Sequence, residues 1–127
     1  MIIIILGILL CGLAGIAKAI QDTLAHHFSS SIFRDGTFYK TQFWDSKKSW
    51  INKWDYSSGS KKEKFLGSST IFVFMTDAWH LFQLLHLNIL ILGVFMIGIQ
   101  FSLWGLLVAI VLYRVIFELN YRWILKM

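Results

Sequence analysis

Two long apolar runs, separated by a polar stretch, dominate the pattern of this chain. The first begins at residue 2, meets its first charge at Lys18, and continues without a helix breaker to residue 28. The second, residues 70–119, has few charges and is far longer than the roughly 20 residues that one membrane-spanning helix needs. It must therefore turn back at least once. The apolar pattern is interrupted at Gly93, Gly98, Gln100 and Ser102, and the turn is predicted there.

The pattern predicts an all-α integral membrane bundle, a single domain over residues 1–127 with three spans. We place the spans near residues 2–28, 70–95 and 101–122, with a polar loop over residues 29–69. No basic segment precedes the first apolar run, which predicts a retained span and not a cleaved leader.

Within the loop, residues 43–54 read FWDSKKSWINKW, with apolar residues recurring at helical spacing and lysines between them. Indole rings prefer the membrane–water boundary. The segment therefore predicts a short interfacial helix whose tryptophans act as anchors.

Composition agrees with the membrane class: 57% of residues are hydrophobic and 15% are charged, against about 45–50% and about 25% in soluble domains. The single cysteine, Cys11, leaves no disulfide within the chain. The net charge of +5 is concentrated in the loop and the C-terminal end. The basic residues there are Arg34, Lys40, Lys47, Lys48, Lys53, Lys61, Lys62, Lys64, Arg114, Arg122 and Lys126.

With three spans, the loop and the C-terminus share one side of the membrane, which the positive-inside rule makes cytoplasmic. We therefore expect a bacterial inner-membrane protein with an extracytoplasmic N-terminus. The membrane accounts for the lysines, so no nucleic-acid partner is predicted.

Ionisable side chains at membrane depth are costly and raise the question of function. The three-span topology brings those of this chain to similar depths near the cytoplasmic side. The candidate catalytic residues are Asp22, His26, His27, Asp77 and His80. The candidate headgroup-binding residues are Lys18 and Arg114, with Glu118 and Gln83 in support.

Asp22 with His26 and Asp77 with His80 would each place a histidine within about one turn of a carboxylate, which orients the imidazole. These are the predicted working pairs: one histidine would act as base or nucleophile towards a phosphate or an ester, and the other as acid to the leaving group. Alternatively, the five candidate catalytic residues could hold a divalent metal, although their spacing matches no closed motif such as H-E-x-x-H. The sequence identifies no other cofactor. The structural alternative is that the basic residues extend to the interface and the carboxylates pair with their neighbours.

Asp22-Thr-Leu-Ala-His26-His27-Phe28 resembles the D-K-x-x-H-F signature of VanZ-like and related small multi-helix membrane proteins of bacteria. Asp77-Ala-Trp-His80 has a similar pattern, one residue shorter, and the loop around Phe43 and Trp50 resembles small membrane proteins common in Bacteroidetes. The resemblance implies a membrane-embedded helical bundle that acts on lipid or lipid-linked substrates. Residue by residue it transfers only Asp22 and His26, because Thr23 replaces the signature lysine and His27 its phenylalanine.

The leading hypothesis is a small enzyme that acts on a lipid or lipid-linked headgroup at the cytoplasmic leaflet. The competing hypothesis is a non-catalytic component, either a subunit of a larger complex or a small transporter-like oligomer, whose polar residues are interhelical contacts. Membrane lipids are the expected partners in both cases, and three helices enclose so little volume that a homo-oligomer is compatible with either.

Overall fold

A computed structural model describes residues 1–35 and 41–125, and the structure is 70% helical. It confirms the predicted all-α fold: Ile2–His26, Ala78–Ile99 and Leu103–Ile124 are each long and apolar enough to cross a membrane. Lys40 and Lys126, part of the predicted basic pattern, lie outside the described residues. In chain order the elements are α1 (Ile2–His26), α2 (Thr41–Trp44), β1 (Trp54–Asp55), β2 (Lys62–Glu63), α3 (Ala78–Ile99) and α4 (Leu103–Leu119), which a π-helical turn continues over Asn120–Ile124.

The second span begins at Ala78, later in the chain than the apolar pattern predicts. Its start is set by Asp77, whose carboxylate accepts a hydrogen bond from the backbone N–H of His80 at 2.8 Å. This N-cap satisfies one of the free N–H groups that every helix start exposes. Residues 70–76 instead form turns and a short 3₁₀ helix over Val73–Met75.

Small residues on α1 make it the central helix, because they let two other backbones approach closely. A Cβ atom added at Gly7 would lie only 2.7 Å from the carbonyl oxygen of Gly93 on α3. One added at Gly15 would lie 2.7 Å from the carbonyl oxygen of Tyr113 on α4. By contrast, α3 and α4 touch each other only sparsely.

The contacts along α1 fix the direction of its neighbours. Gly7 meets Gly93 near the end of α3, whereas Ala14 meets His86 nearer its start, so α1 and α3 are antiparallel. Gly15 meets Tyr113 of α4, and His27 reaches the later Tyr121, so α1 and α4 run parallel. The polar loop, the start of α3 and the end of α4 therefore lie at one end of the bundle, here called the loop-side end.

The 43–54 segment is helical in two short pieces, α2 and a 3₁₀ helix over Ser49–Lys53, with a turn between them. Trp44 is not a free-standing anchor: its ring stacks on Phe33 at a centroid distance of 4.7 Å and lies 6.1 Å from Phe82 of α3. Trp50 is exposed, as an interfacial residue would be. The loop is thus packed onto the bundle through one of its tryptophans.

A short hairpin follows, in which β1 pairs with β2 in antiparallel register, Trp54 opposite Glu63. The Glu63 carboxylate accepts hydrogen bonds from the Ser69 hydroxyl and from the backbone N–H groups of Gly67 and Ser69. These bonds favour the ionised form and hold the pKa of Glu63 below its ordinary value. The exposed turn after β2 is therefore organised around one carboxylate.

Candidate functional site

Asp77 and His80 form the most highly organised polar cluster at the loop-side end. The Nδ1 atom of His80 lies 2.8 Å from both carboxylate oxygens of Asp77, in addition to the bond from the His80 backbone. The start of α3 places the backbone N–H and the imidazole of His80 beside the Asp77 carboxylate, because residues three apart lie on the same face of a helix. The Asp77 side chain is only 2% exposed, while 31% of the His80 side chain remains accessible.

The loop adds a cation to this pair. The Nζ atom of Lys53 lies 3.2 Å from the Asp77 carboxylate, and 18% of the lysine side chain is exposed. Its position is fixed by bonds on either side: Asn52 donates to the carbonyl oxygen of Thr76 at 2.8 Å, and the Ser68 hydroxyl donates to the carbonyl oxygen of Lys53 at 2.7 Å. The buried Asp77 carboxylate is therefore paired with a cation that lies 24 residues earlier in the sequence. A buried charge needs such a partner.

His80 faces a cavity of about 370 Å³, here called the His80 cavity. Both oxygens of the Asp77 carboxylate on its wall are bonded, one to the His80 ring and backbone and the other to the His80 ring and Lys53. The Ser46 and Ser49 hydroxyls donate to backbone carbonyl oxygens. The Lys53 ammonium is the group on this wall that favours an anion. The cavity is lined by Ala25, Ser46, Ser49, Trp50, Lys53, Asp77, Trp79 and His80.

His26 belongs to a neighbouring cavity of about 280 Å³, here called the His26 cavity, whose polar lining includes Arg34, Asp45 and Lys47. The two cavities have Ala25 and Ser46 in common, so they adjoin at the end of α1. The imidazole of His26 forms no hydrogen bond or ion pair with any residue that the structure describes. The structure therefore gives His26 no orienting carboxylate.

Asp22, the expected partner of His26, instead forms an ion pair with Lys18, one turn earlier on α1, at 2.6 Å. His27 lies against the ring of Tyr121, at a centroid distance of 5.3 Å. The predicted pairing of Asp22 with His26 is thus replaced by one between Asp22 and Lys18. The two Asp–His pairs do not form a single site.

The candidates on the other helices also separate. Glu118 bonds Arg122 at 2.5 Å and approaches Arg114 at 3.8 Å, so its charge is shared between two arginines of the same helix. Arg114 lines a cleft between α3 and α4 and not the His80 cavity. Gln83 is half-buried one turn after His80 and lines none of these cavities.

For the metal alternative, no three side chains from among His, Cys, Asp and Glu come together in residues 1–35 and 41–125. The five ligands that the sequence offers are therefore not assembled there. They are Asp22, His26, His27, Asp77 and His80.

Lys53 and the loop wall of the His80 cavity are the parts of the site that the sequence did not predict. Lys53 is one of many loop lysines, and only the fold distinguishes it. His86, deeper in α3, makes an interhelical contact: its Nδ1 atom lies 3.2 Å from the carbonyl oxygen of Ala14 on α1. Of the contacts in this site, only the N-cap formed by Asp77 could have been predicted from the sequence, because an aspartate directly before a helical run is typical of an N-cap.

Comparison with protein-family models, with curated proteins and with solved structures found no match for this chain. The resemblance to VanZ-like proteins therefore stays a prediction that rests on a few residues.

Proposed function

We propose that this chain is a membrane-embedded enzyme that acts on the phosphate-bearing headgroup of a lipid or lipid-linked molecule, with His80 as the proton-transferring group. The observation that carries the proposal is the geometry of His80: its Nδ1 atom is held by Asp77, and its ring borders a cavity that also contains Lys53. His80 and Asp77 were both candidates from the sequence; Lys53 joins them here.

The chemistry follows from the orientation of the ring. With the Nδ1 proton directed at the Asp77 carboxylate, the Nε2 atom of neutral His80 is the acceptor and can serve as a general base. It would take a proton from water as the water oxygen attacks phosphorus, and return it to the oxygen of the leaving group. Asp77 would stabilise the imidazolium formed in between, and Lys53 would attract the anionic headgroup.

The position of the cavity suits such a substrate. It lies where α1 ends and α3 begins, at the loop-side end of the bundle, and a lipid headgroup occupies the corresponding level of a bilayer. The basic residues of the loop favour the cytoplasmic leaflet of a bacterial inner membrane for this end, with the N-terminus outside. The same residues would draw anionic lipids towards the site.

The decisive experiment compares two histidine variants in vesicles made from a bacterial lipid extract, with lipid composition followed by mass spectrometry. For the wild type we expect loss of one lipid class and appearance of its product. His80→Gln should slow this conversion about 100-fold or more, the usual contribution of a general base. His26→Gln is the matched control, since His26 borders the neighbouring cavity without a carboxylate partner. Equal conversion by wild type and a folded His80→Gln variant would exclude the proposed role.

The competing function, a non-catalytic subunit or oligomer, is supported by the ion pairs within single helices. Lys18 with Asp22, and Glu118 with two arginines, satisfy one another without any substrate. The bond from His86 to α1 is an interhelical contact of the kind that this view predicts. Cross-linking in native membranes distinguishes the two: a stable complex, together with no lipid conversion, would favour the non-catalytic role.

A further inference from the structure

A second cavity lies away from the His80 site, between two helices that scarcely touch. Because α3 and α4 both pack on α1 and only sparsely on each other, they leave a cleft of about 520 Å³, here called the α3–α4 cleft. Its wall is almost entirely apolar, with Leu90 and Val94 on α3 and Ile110 on α4. The buried residues Cys11 and Ala109 also line the cleft, and their small side chains leave its floor unfilled.

The cleft has one polar end. Arg114 lies 11 residues after the start of α4, about 17 Å along the helix axis, and lines the cleft on its loop side. Its side chain is 65% exposed, and its contact with Glu118 is long at 3.8 Å. Glu118 is bonded more closely to Arg122, at 2.5 Å. Two arginines thus share one carboxylate, and an excess positive charge remains at this end.

The nearby ion pair on α1 does not cancel this excess. Lys18 and Asp22 follow Cys11 by seven and eleven residues, about two and three helical turns, and therefore continue the line of the cleft floor. They bind each other at 2.6 Å and add no net charge. The cleft is consequently apolar along its length and cationic at its loop-side end.

We propose that the α3–α4 cleft binds one acyl chain of an anionic phospholipid, whose phosphate is held by Arg114. A hydrocarbon chain fits a narrow apolar cleft, whereas a helix from a second copy, about 10–12 Å wide, could only press a ridge of side chains into its mouth. The long arginine side chain reaches towards the loop-side surface, where phosphates lie. The bound lipid fills the gap between α3 and α4 and is not the substrate of the His80 cavity, so this site is independent of the proposed enzyme activity.

The test is native mass spectrometry of the full chain, purified from vesicles that contain equal amounts of phosphatidylglycerol and phosphatidylcholine. We expect one retained phosphatidylglycerol per chain in the wild type. Arg114→Gln should reduce its retention about tenfold, the loss expected for one charge-assisted bond. Ile110→Trp should also expel it by filling the cleft.

Two controls separate this site from general effects of charge and bulk. Lys62→Gln removes one positive charge from the exposed loop outside the cleft, and Val111→Trp adds the same bulk to an exposed position that does not line the cleft. Both should retain the lipid. Equal retention of phosphatidylcholine and phosphatidylglycerol, equal loss in variants and controls, or a dimer whose cross-links run through the cleft would each overturn the proposal. Lipid conversion in the vesicle assay is unaffected by any of these outcomes.

Discussion

The loop-side ends of α1 and α3 each carry an aspartate followed within about one turn by a histidine, yet the two pairs have different structures. Asp77 precedes the first turn of its helix and binds both the backbone and the ring of His80. Asp22 lies near the end of its helix and binds Lys18, while His26 is exposed. Asp77 and His80 therefore form a hydrogen-bonded cluster, whereas Asp22 and His26 do not bond to each other.

The position of each aspartate relative to the helix end explains the difference. At a helix start, free N–H groups attract a carboxylate, and the cap then holds it beside the third residue of the helix. Near a helix end no N–H group is free, and the macrodipole disfavours an anion there. The carboxylate of Asp22 therefore turns to the cation one turn earlier. The same two residue types give an oriented imidazole only where the chain begins a helix.

The largest effect should come from displacing α3 along α1. A Cβ atom at Gly93 would lie 2.8 Å from both the Cys11 sulfur and the Gly7 carbonyl oxygen, so Gly93→Leu forces the helices apart. We expect a loss of about 3 kcal/mol in the free energy of unfolding, the upper end for overpacking, measured by denaturant titration in detergent. Gly98→Ala is the control, because nothing lies within 4 Å of the added atom. An equal loss in both variants would contradict the packing of α1 on α3.

The same displacement sharpens the comparison between the two pairs. The Lys18–Asp22 pair lies within one helix and should survive Gly93→Leu, whereas the His80 cavity needs Ala25 of α1 and should open. Accessibility of His80 to a water-soluble imidazole reagent, compared with that of His26, measures this directly. An unchanged reactivity of His80 would show that the loop alone builds the cavity.

Next in size are the aspartates themselves. Asp77→Ala removes a cap and leaves Lys53 without its carboxylate, which should cost about 2 kcal/mol. Asp22→Ala removes one ion pair that is partly solvated and should cost less than about 1 kcal/mol. Asp77→Asn separates the two contributions, because asparagine caps helices well but carries no charge. Equal costs for Asp77→Ala and Asp22→Ala in detergent unfolding would break the comparison.

A smaller effect concerns the proton on His80. Nitrogen NMR of the imidazoles, at a pH where they are neutral, should show the His80 proton on Nδ1 and a mixture of tautomers for His26. In Asp77→Asn the preference of His80 should weaken, since the side-chain amide can donate as well as accept. A His80 proton found on Nε2 in the wild type would remove the basis for its role as a base.

The smallest effect concerns a carboxylate that accepts backbone hydrogen bonds as Asp77 does, but in a solvent-exposed turn. Glu63 also accepts hydrogen bonds from backbone N–H groups, but it is fully exposed. Because its pKa is lowered in the folded protein, its contribution to stability is fully present above the ordinary glutamate pKa. That contribution is lost as the pH falls through the lower pKa of the folded protein. At neutral pH, Glu63→Gln should therefore speed hydrogen exchange at the Gly67 and Ser69 amides. The difference from wild type should persist as the pH falls past the ordinary glutamate pKa, and it should vanish only below the lowered pKa of the folded protein. The Ser57 amide, bonded to Asp55, serves as the control and should not respond to the substitution.

The long helices were predictable because a run of about 20 apolar residues allows little else. The start of α3 was misplaced because residues 70–76 are as apolar as the helix that follows, although Asp77 carried the cap signal. The central place of α1 was also readable, from Gly7, Cys11 and Gly15 at four-residue spacing. The contact of Lys53 with Asp77 was not, because it depends on how the loop packs and not on any local pattern.

The central position of α1 has a consequence for biosynthesis. Every described residue that lines the His80 cavity lies at or before position 80, on α1, the loop and the start of α3. The end of α4 packs beside this region, where Tyr121 lies against His27, but it contributes no residue to the cavity wall. Since domains tend to fold from the N-terminus during translation, the cavity can be assembled on the nascent chain before α4 leaves the ribosome. The last helix then joins a pair that is already formed, and its arrival creates the α3–α4 cleft.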